Sequence, residues 1–480
     1  MGRFLNYLLV PILTAKLSAE SGGYGIVTNL YAWTALLLVI LTYGMETTFF
    51  RFSNKEEEDP KRVYSTTLIT VGFTSALFVA LLFIFIGPIS NALGYADHPS
   101  YVWTLFTAVA LDAFQCVMFA YLRYRNKPWK FAFLKLLFII LSIVLTLLYY
   151  VFLPKWGLNP FGIYDEKFTL DPGYVFYINL LCTSFVTLFF WRELTCVRYV
   201  LDLKLLRRML RYSWPLLILG IAGILNQAAD KILFPYLYDG SAEEAKAQLG
   251  IYGAASKIAM IMAMITQAFR YAYEPFVFGK SREKGNKEMY ARAMKYFLIF
   301  TLLAFLMVMG YMQLLRHIIG KDYWSGLDVV PIVMTAEIMM GIYFNLSFWY
   351  KLIDKTHWGA ILSGIGCTVL IAVNVIFVPR YGYMACAWGG FAGYGTAMAL
   401  SYIFGQKYYP IAYPLRSIFV YVVLAASLFA GIQYCNSHFG TVGATLANTA
   451  LIGVFVLYTV KSDFPIANLP VVGKYFRKNK

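Results

Sequence analysis

Charge is scarce in this chain: only 14% of its 480 residues are Asp, Glu, Lys or Arg, where a soluble domain carries about a quarter. An ordinary solvated surface cannot be built from so few. Histidine is rarer still, and His98, His317, His357 and His438 form neither an H-E-x-x-H motif nor a His-carboxylate cluster, so the usual zinc centres are not expected. Six cysteines (Cys116, Cys182, Cys196, Cys367, Cys386, Cys435) lack C-x-x-C spacing and read as small apolar packers rather than disulfides or metal ligands. A G-x-S-x-G elbow, a Walker A loop and a paired-carboxylate site are also missing. The sequence therefore points to no enzyme centre, no cofactor and no ATP-driven pump. No segment resembles a cleavable signal peptide, and the Met-Gly start has Asn6 where myristoylation wants Ser or Thr.

Apolar length is what the chain has instead. Hydrophobic residues make up 60% and aromatics 18%, with a mean hydropathy of +0.62. A hydrocarbon layer of about 30 Å needs roughly 20 helical residues to cross it. About fourteen segments approach that length: 4–17, 26–47, 63–86, 101–122, 131–153, 174–191, 214–237, 250–269, 296–315, 329–349, 358–378, 384–404, 418–434 and 442–460. The expected fold is all-α, a polytopic membrane protein of about 14 transmembrane helices. The first segment is short and contains Pro11, so either this helix is incomplete or the true start lies upstream.

Basic residues set the topology, because cytoplasmic loops retain Lys and Arg. With the N-terminus inside, 31 of them fall on the cytoplasmic side and 7 on the other, while Lys135, Lys231 and Lys257 lie inside spans. Both termini are therefore expected to be cytoplasmic. The net charge of +16 is assigned mainly to topology and to anionic lipid headgroups, with membrane lipids and not nucleic acid as partners.

An internal repeat organises the chain. Tyr24-Gly25 and Tyr43-Gly44-Met45-Glu46 match Tyr252-Gly253 and Tyr271-Ala272-Tyr273-Glu274 at an offset of 228, as does Lys127 with Lys355. Phe152-Leu-Pro-Lys-Trp-Gly157 matches Phe377-Val-Pro-Arg-Tyr-Gly382 at an offset of 225. The offsets divide the chain into a six-helix lobe over 1–195, a cytoplasmic connector over 196–213, a second six-helix lobe over 214–410, two extra helices over 411–461 and a basic tail over 462–480. Six is even, so equivalent helices run in the same direction, and transporters of this kind place substrate between halves near mid-membrane.

A charge near the bilayer centre costs roughly 2.5–3.5 kcal/mol on insertion scales unless it faces protein or water. Polar residues inside spans therefore mark candidate cavity walls. Asn226, Gln227, Asp230 and Lys231 share one broad face of the seventh span; Ser256, Gln267, Arg270 and Glu274 form a stripe on the eighth, with Lys257 about 100° away. Thr42 and Glu46 lie on the second span and Thr104, Asp112 and Gln115 on the fourth. Two readings stand side by side. Asp230–Lys231, Arg270–Glu274 and Glu46–Arg51 are ion pairs that hold the bundle, or the cations Lys231, Lys257 and Arg270 meet an anionic substrate in a water-filled cavity. Glu46, Asp112, Asp230 and Glu274 are in turn ion-coupling or ion-pair candidates. Pro235 and Pro275 are kink candidates of the kind that shape cavities or simply pack.

The segments Gly2-Arg-Phe-Leu-Asn-Tyr-Leu-Leu-Val-Pro11, Tyr24-Gly-Ile-Val-Thr-Asn-Leu-Tyr31, Tyr43-Gly-Met-Glu-Thr-Thr-Phe-Phe-Arg-Phe52 and Gln267-Ala-Phe-Arg-Tyr-Ala-Tyr-Glu-Pro-Phe276 resemble bacterial polysaccharide-biosynthesis flippases. These are Wzx-like members of the superfamily that also holds multidrug MATE exporters and lipid II flippases. The resemblance implies a MATE-like fold in the bacterial cytoplasmic membrane. It also implies transfer of an undecaprenyl-diphosphate-linked oligosaccharide to the periplasmic leaflet by alternating access, for polysaccharide or lipopolysaccharide synthesis alongside other assembly proteins. By position it carries diphosphate contact to Arg3, Lys231, Lys257 and Arg270, with Arg3 depending on the start of the first span. The alternative is a MATE-type cation-coupled drug antiporter, which needs a cavity dominated by acids such as Asp112, Asp230 and Glu337. A polymerase or ligase would carry its chemistry on a large external loop, and the longest, 154–173, has no such cluster.

Overall fold

The computed structural model describes residues 2–56, 58–159, 170–196, 198–279, 286–353 and 355–463; the basic tail beyond 463 and half of the 154–173 loop lie outside them. Among the described residues there is no strand. The principal helices are α1 (Gly2–Lys16), α2 (Gly23–Thr42), α3 (Pro60–Ile84), α4 (Pro99–Tyr124), α5 (Pro128–Leu147), α6 (Gly173–Leu188), α7 (Leu203–Leu237), α8 (Ala242–Gly279), α9 (Asn286–Gly310), α10 (Val330–Leu346), α11 (His357–Tyr381), α12 (Tyr383–Tyr408), α13 (Leu415–His438) and α14 (Thr441–Ser462). Each expected span falls on one of them. Among the described residues eleven helical segments, counting the short helices continuous with α2, α5 and α10, are long and apolar enough to cross a membrane, so the protein is a multi-pass membrane protein. The count of fourteen is not reached by that measure, because α1 and α6 have only 15 and 16 residues and the glycine-rich α12 is absent from the eleven.

Helices suit this sequence because in lipid every backbone N–H and C=O must be satisfied within the segment. Their starts are written locally. Pro60, Pro99, Pro128 and Pro331 sit in first turns, where the missing N–H costs nothing. Asp59 caps α3 and Asp202 caps α7, accepting from the backbone N–H of Lys204 at 2.9 Å and of Leu205 at 3.0 Å. These bonds, Leu205's foremost, together with Arg62 at 3.1 Å, hold the Asp202 carboxyl below its ordinary pKa. Large apolar side chains such as Ile84, Phe419 and Leu457 are two-thirds or more exposed, as expected of lipid-facing surface.

Two compact packing units are formed, one from 1–254 with 374–386, the other from 255–373 with 387–480. In the first, α4 packs against α2, α3 and α6, and α2 also packs against α7. Its core is aromatic: Phe49, Tyr64 and Phe190 are fully buried, and Tyr64 stacks on Tyr121 at 3.9 Å. The repeated Tyr-Gly pairs have a structural role here. A Cβ on Gly25 would strike the carbonyl oxygen of Lys246, and one on Gly253 would strike Thr28, so both glycines sit where α2 and α8 cross in close contact.

In the second unit α9 packs against α10, α13 and α14. Asn448 on α14 donates to the Gly310 carbonyl at 2.9 Å near one end. At the other, Asp463 pairs with Lys295 and accepts from the Tyr421 hydroxyl at 2.6 Å. The two C-terminal helices are thus fastened to α9 at both ends.

The second expected span, 26–47, is interrupted. Tyr43 and Gly44 both take left-handed backbone (φ 32° and 72°), ending α2 before a short helix, Met45–Ser53, begins. In the second half Ala272 stands where Gly44 stands in the first, and α8 runs through without a break.

Candidate functional site

The charged candidates have distinct local surroundings. Lys231, near the end of α7, lies 3.0 Å from the neighbouring Asp230 and 5.2 Å from the ring centre of Tyr252. Tyr252 donates to Asp230 at 2.6 Å, Asn29 donates to the Lys231 carbonyl at 2.8 Å, and Tyr95 donates to Asn29 at 3.0 Å. This network ties α7 to α2 and α8, and Asp230 is buried within it. Lys257 is half-buried on α8, thirteen residues before Arg270, which is about 20 Å of helical rise. A single diphosphate is far shorter than that. Arg3 sits on α1, and its side chain lies outside the described residues, as does that of Pro275.

Among the acids, Asp112 is half-buried and has the Thr183 hydroxyl at 3.5 Å. Glu46 does not pair with Arg51. They are five residues apart on the short Met45–Ser53 helix, hence about 140° apart around its axis, and Arg51 lies instead over the Tyr212 ring at 4.1 Å. Glu46 pairs with Arg123 on α4 and accepts from the Cys116 thiol.

Glu274 repeats this arrangement. Its Oε1 lies 3.0 Å from Nζ of Lys351, on the short helix Phe348–Leu352 that follows α10. Glu46 to Glu274 and Arg123 to Lys351 are both steps of 228, so one ion pair is built twice, once in each half. Neither Arg123 nor Lys351 was singled out from the sequence. Their shared offset was the signal that identifies them.

The second copy carries a surplus. Arg270, one turn before Glu274 on α8, occupies the position of Thr42 in the first half. Its Nε is 3.8 Å from Glu274 Oε2, beyond hydrogen-bond range, and its guanidinium lies 4.6 Å from the Phe344 ring centre. Glu274 is thus shared between Lys351 at 3.0 Å and the more distant Arg270, so this face carries one cation more than its carboxylate can neutralise, with about a third of the Arg270 side chain exposed. It edges a small recess between α8 and α10, lined by Thr266, Phe269, Arg270, Tyr273, Gly341, Phe344, Asn345 and Phe348. The recess joins a second one through Tyr273, Asn345 and Phe348. A guanidinium at the rim of an aromatic recess suits an anionic group with planar or apolar neighbours. Among the described residues no three His, Cys, Asp or Glu side chains come together as a metal site.

Comparisons with known proteins agree on the architecture. The model of a family described as polysaccharide biosynthesis protein matches residues 1–272. No curated protein matches the chain in sequence. Among solved structures, the lipid II flippase MurJ in an inward closed conformation superposes with a TM-score of 0.73 at 15% identity, covering 96% of this chain and 97% of its own. An inward-facing multidrug resistance MATE transporter of the MOP superfamily gives 0.62 at 16% identity over 84% and 94%. An outward-facing multidrug resistance MATE transporter of the same superfamily gives 0.55 at 15% over 85% and 92%. At these identities the likeness is one of fold.

Proposed function

Because this chain belongs to the polysaccharide biosynthesis protein family, whose model matches more than half of it, we propose that it is a flippase. It carries a lipid-linked oligosaccharide, joined to its polyprenyl anchor by a diphosphate, across the bacterial cytoplasmic membrane by alternating access of its two repeat halves. Both termini face the cytoplasm, as the basic loops require. It acts as a transporter and not as an enzyme. One observation carries the substrate assignment: Lys351 neutralises Glu274 at 3.0 Å and leaves Arg270 at 3.8 Å, so the recess edge keeps one cation for an anionic headgroup. Lys257 lies too far along α8 from Arg270 to share a diphosphate with it, and Lys231 and Lys257 serve other positions along the path.

The cation-coupled drug antiporter is disfavoured by the same geometry. Such a carrier needs acids available to a cation; of those named for it Asp230 is paired with Lys231 at 3.0 Å, and Glu46 and Glu274 are likewise paired with Arg123 and Lys351. Complementation of a bacterium lacking its own oligosaccharide flippase tests the reading. Surface glycan should return with the parent and fail with Arg270→Gln at equal membrane abundance. Full restoration by Arg270→Gln, or drug resistance in place of glycan, would sink it.

A further inference from the structure

Beside Arg270 two polar groups are left unmatched. Thr266 lies one turn before Arg270 on the same face of α8. It is only 3% exposed, yet its hydroxyl has no partner. A threonine in an apolar helix ordinarily returns its hydroxyl to the carbonyl four residues back, as Thr28, Thr42, Thr301 and Thr335 do in this chain. Thr266 does not, and it is one of the residues that line the recess. Asn345, another lining residue, donates its amide N–H to the Gly341 carbonyl at 3.0 Å, and its Oδ1 is also buried and unpartnered. An orphaned hydroxyl and an orphaned acceptor beside a guanidinium call for a ligand group with hydroxyls of its own.

The repeat sharpens the point. At the same offset of 228, the first half has Leu38, Thr42 and Val117 where the second has Thr266, Arg270 and Asn345. Both orphaned groups and the surplus cation therefore belong to one half, at neighbouring positions, where shared structural duty would have kept them in both.

We propose that Thr266 and Asn345 form a subsite for the first sugar of a glycosyl diphosphate, Asn345 Oδ1 accepting a sugar hydroxyl and Thr266 exchanging a hydrogen bond with it, while Arg270 holds the adjoining phosphate. This rests on the reading of Arg270 as the phosphate contact.

The test uses the full chain in detergent and two probes: farnesyl diphosphate, and farnesyl diphosphate bearing one glucose, galactose or N-acetylglucosamine, whichever binds tightest. Thr266→Val, which keeps the shape, and Asn345→Leu should each weaken the glycosylated probe about three- to tenfold, the worth of one neutral hydrogen bond. Neither should move the bare diphosphate by more than about twofold, and Thr266→Ser should bind like the parent. Arg270→Gln should weaken both probes. If Thr266→Val and Asn345→Leu leave the glycosylated probe unchanged, or weaken both probes alike, the subsite is wrong while the Arg270 reading stands. If Arg270→Gln changes neither probe, the phosphate contact falls and the subsite falls with it.

Discussion

Removing Lys351 tests whether Lys351, by holding Glu274, guards Arg270 for the substrate. Two unit charges 3.0 Å apart attract by about 5–6 kcal/mol at an effective dielectric of about 20. Because the Lys351 and Glu274 side chains are 26% and 32% exposed, screening and the desolvation already incurred reduce the net value to about 1–2 kcal/mol. Lys351→Met should therefore lower stability by that amount. It should also release Glu274 toward Arg270, one turn away at 3.8 Å. Arg270 then becomes the partner of an acid instead of a substrate, and transport should fall by about tenfold, the equivalent of 1.4 kcal/mol. The double variant Lys351→Met with Glu274→Gln frees Arg270 again and should recover transport, whereas Arg270→Gln should stay inactive in either background. Glycan export in vivo, normalised to membrane abundance, with thermal denaturation in detergent as the stability readout, gives the full cycle. If the double variant remains as impaired as Lys351→Met alone, Lys351 acts on its own account and the guard argument is refuted.

The remaining expectations are simpler. Cysteines placed at Glu58 and Lys204 should resist an impermeant thiol reagent in intact cells while one at Asp97 reacts, and the reverse pattern would invert the topology. Gly25→Leu should abolish folding or cost several kcal/mol, because even a Cβ meets the Lys246 carbonyl and backbone cannot yield as a side chain can; accumulation of this variant at parental levels and stability would contradict the close crossing. Burial raises the Asp463 pKa, but hydrogen bonds from Lys295 and Tyr421 outweigh it and hold the carboxyl below its ordinary value. Its contribution to stability is thus full at neutral pH and lost as pH falls through the depressed value. Asp463→Asn should flatten that acid limb of the stability profile, and an unchanged limb would remove Asp463 from the account.

The long elements were legible in the sequence because a membrane imposes a length and an apolarity that few other contexts share. Helix interruptions were not: the break at Tyr43-Gly44 depends on left-handed backbone at a tyrosine, which no composition signals, and its counterpart at Ala272 runs straight. The ion pairs were half legible. Glu46, Asp230 and Glu274 stood out as charges inside spans, and the Arg270–Glu274 pair suggested by sequence proximity is present at 3.8 Å. Proximity also suggested Arg51 for Glu46, where packing brought Arg123, and it missed Lys351 as a second partner of Glu274. Thr266 and Asn345 were invisible, since a lone threonine or asparagine on an apolar helix usually bonds to its own backbone, and what marks these two is that both line the recess that Arg270 edges.

The most direct measurement reconstitutes the purified chain in vesicles with a fluorescent, diphosphate-linked glycolipid and follows loss of its signal to a reagent that cannot cross the bilayer. The parent should move the lipid between leaflets, and Arg270→Gln should do so about tenfold to a hundredfold more slowly, the loss of one charge-assisted contact of roughly 1.5–3 kcal/mol. Vesicles in which the parent is no faster than empty bilayer, or in which Arg270→Gln matches the parent, would contradict the account.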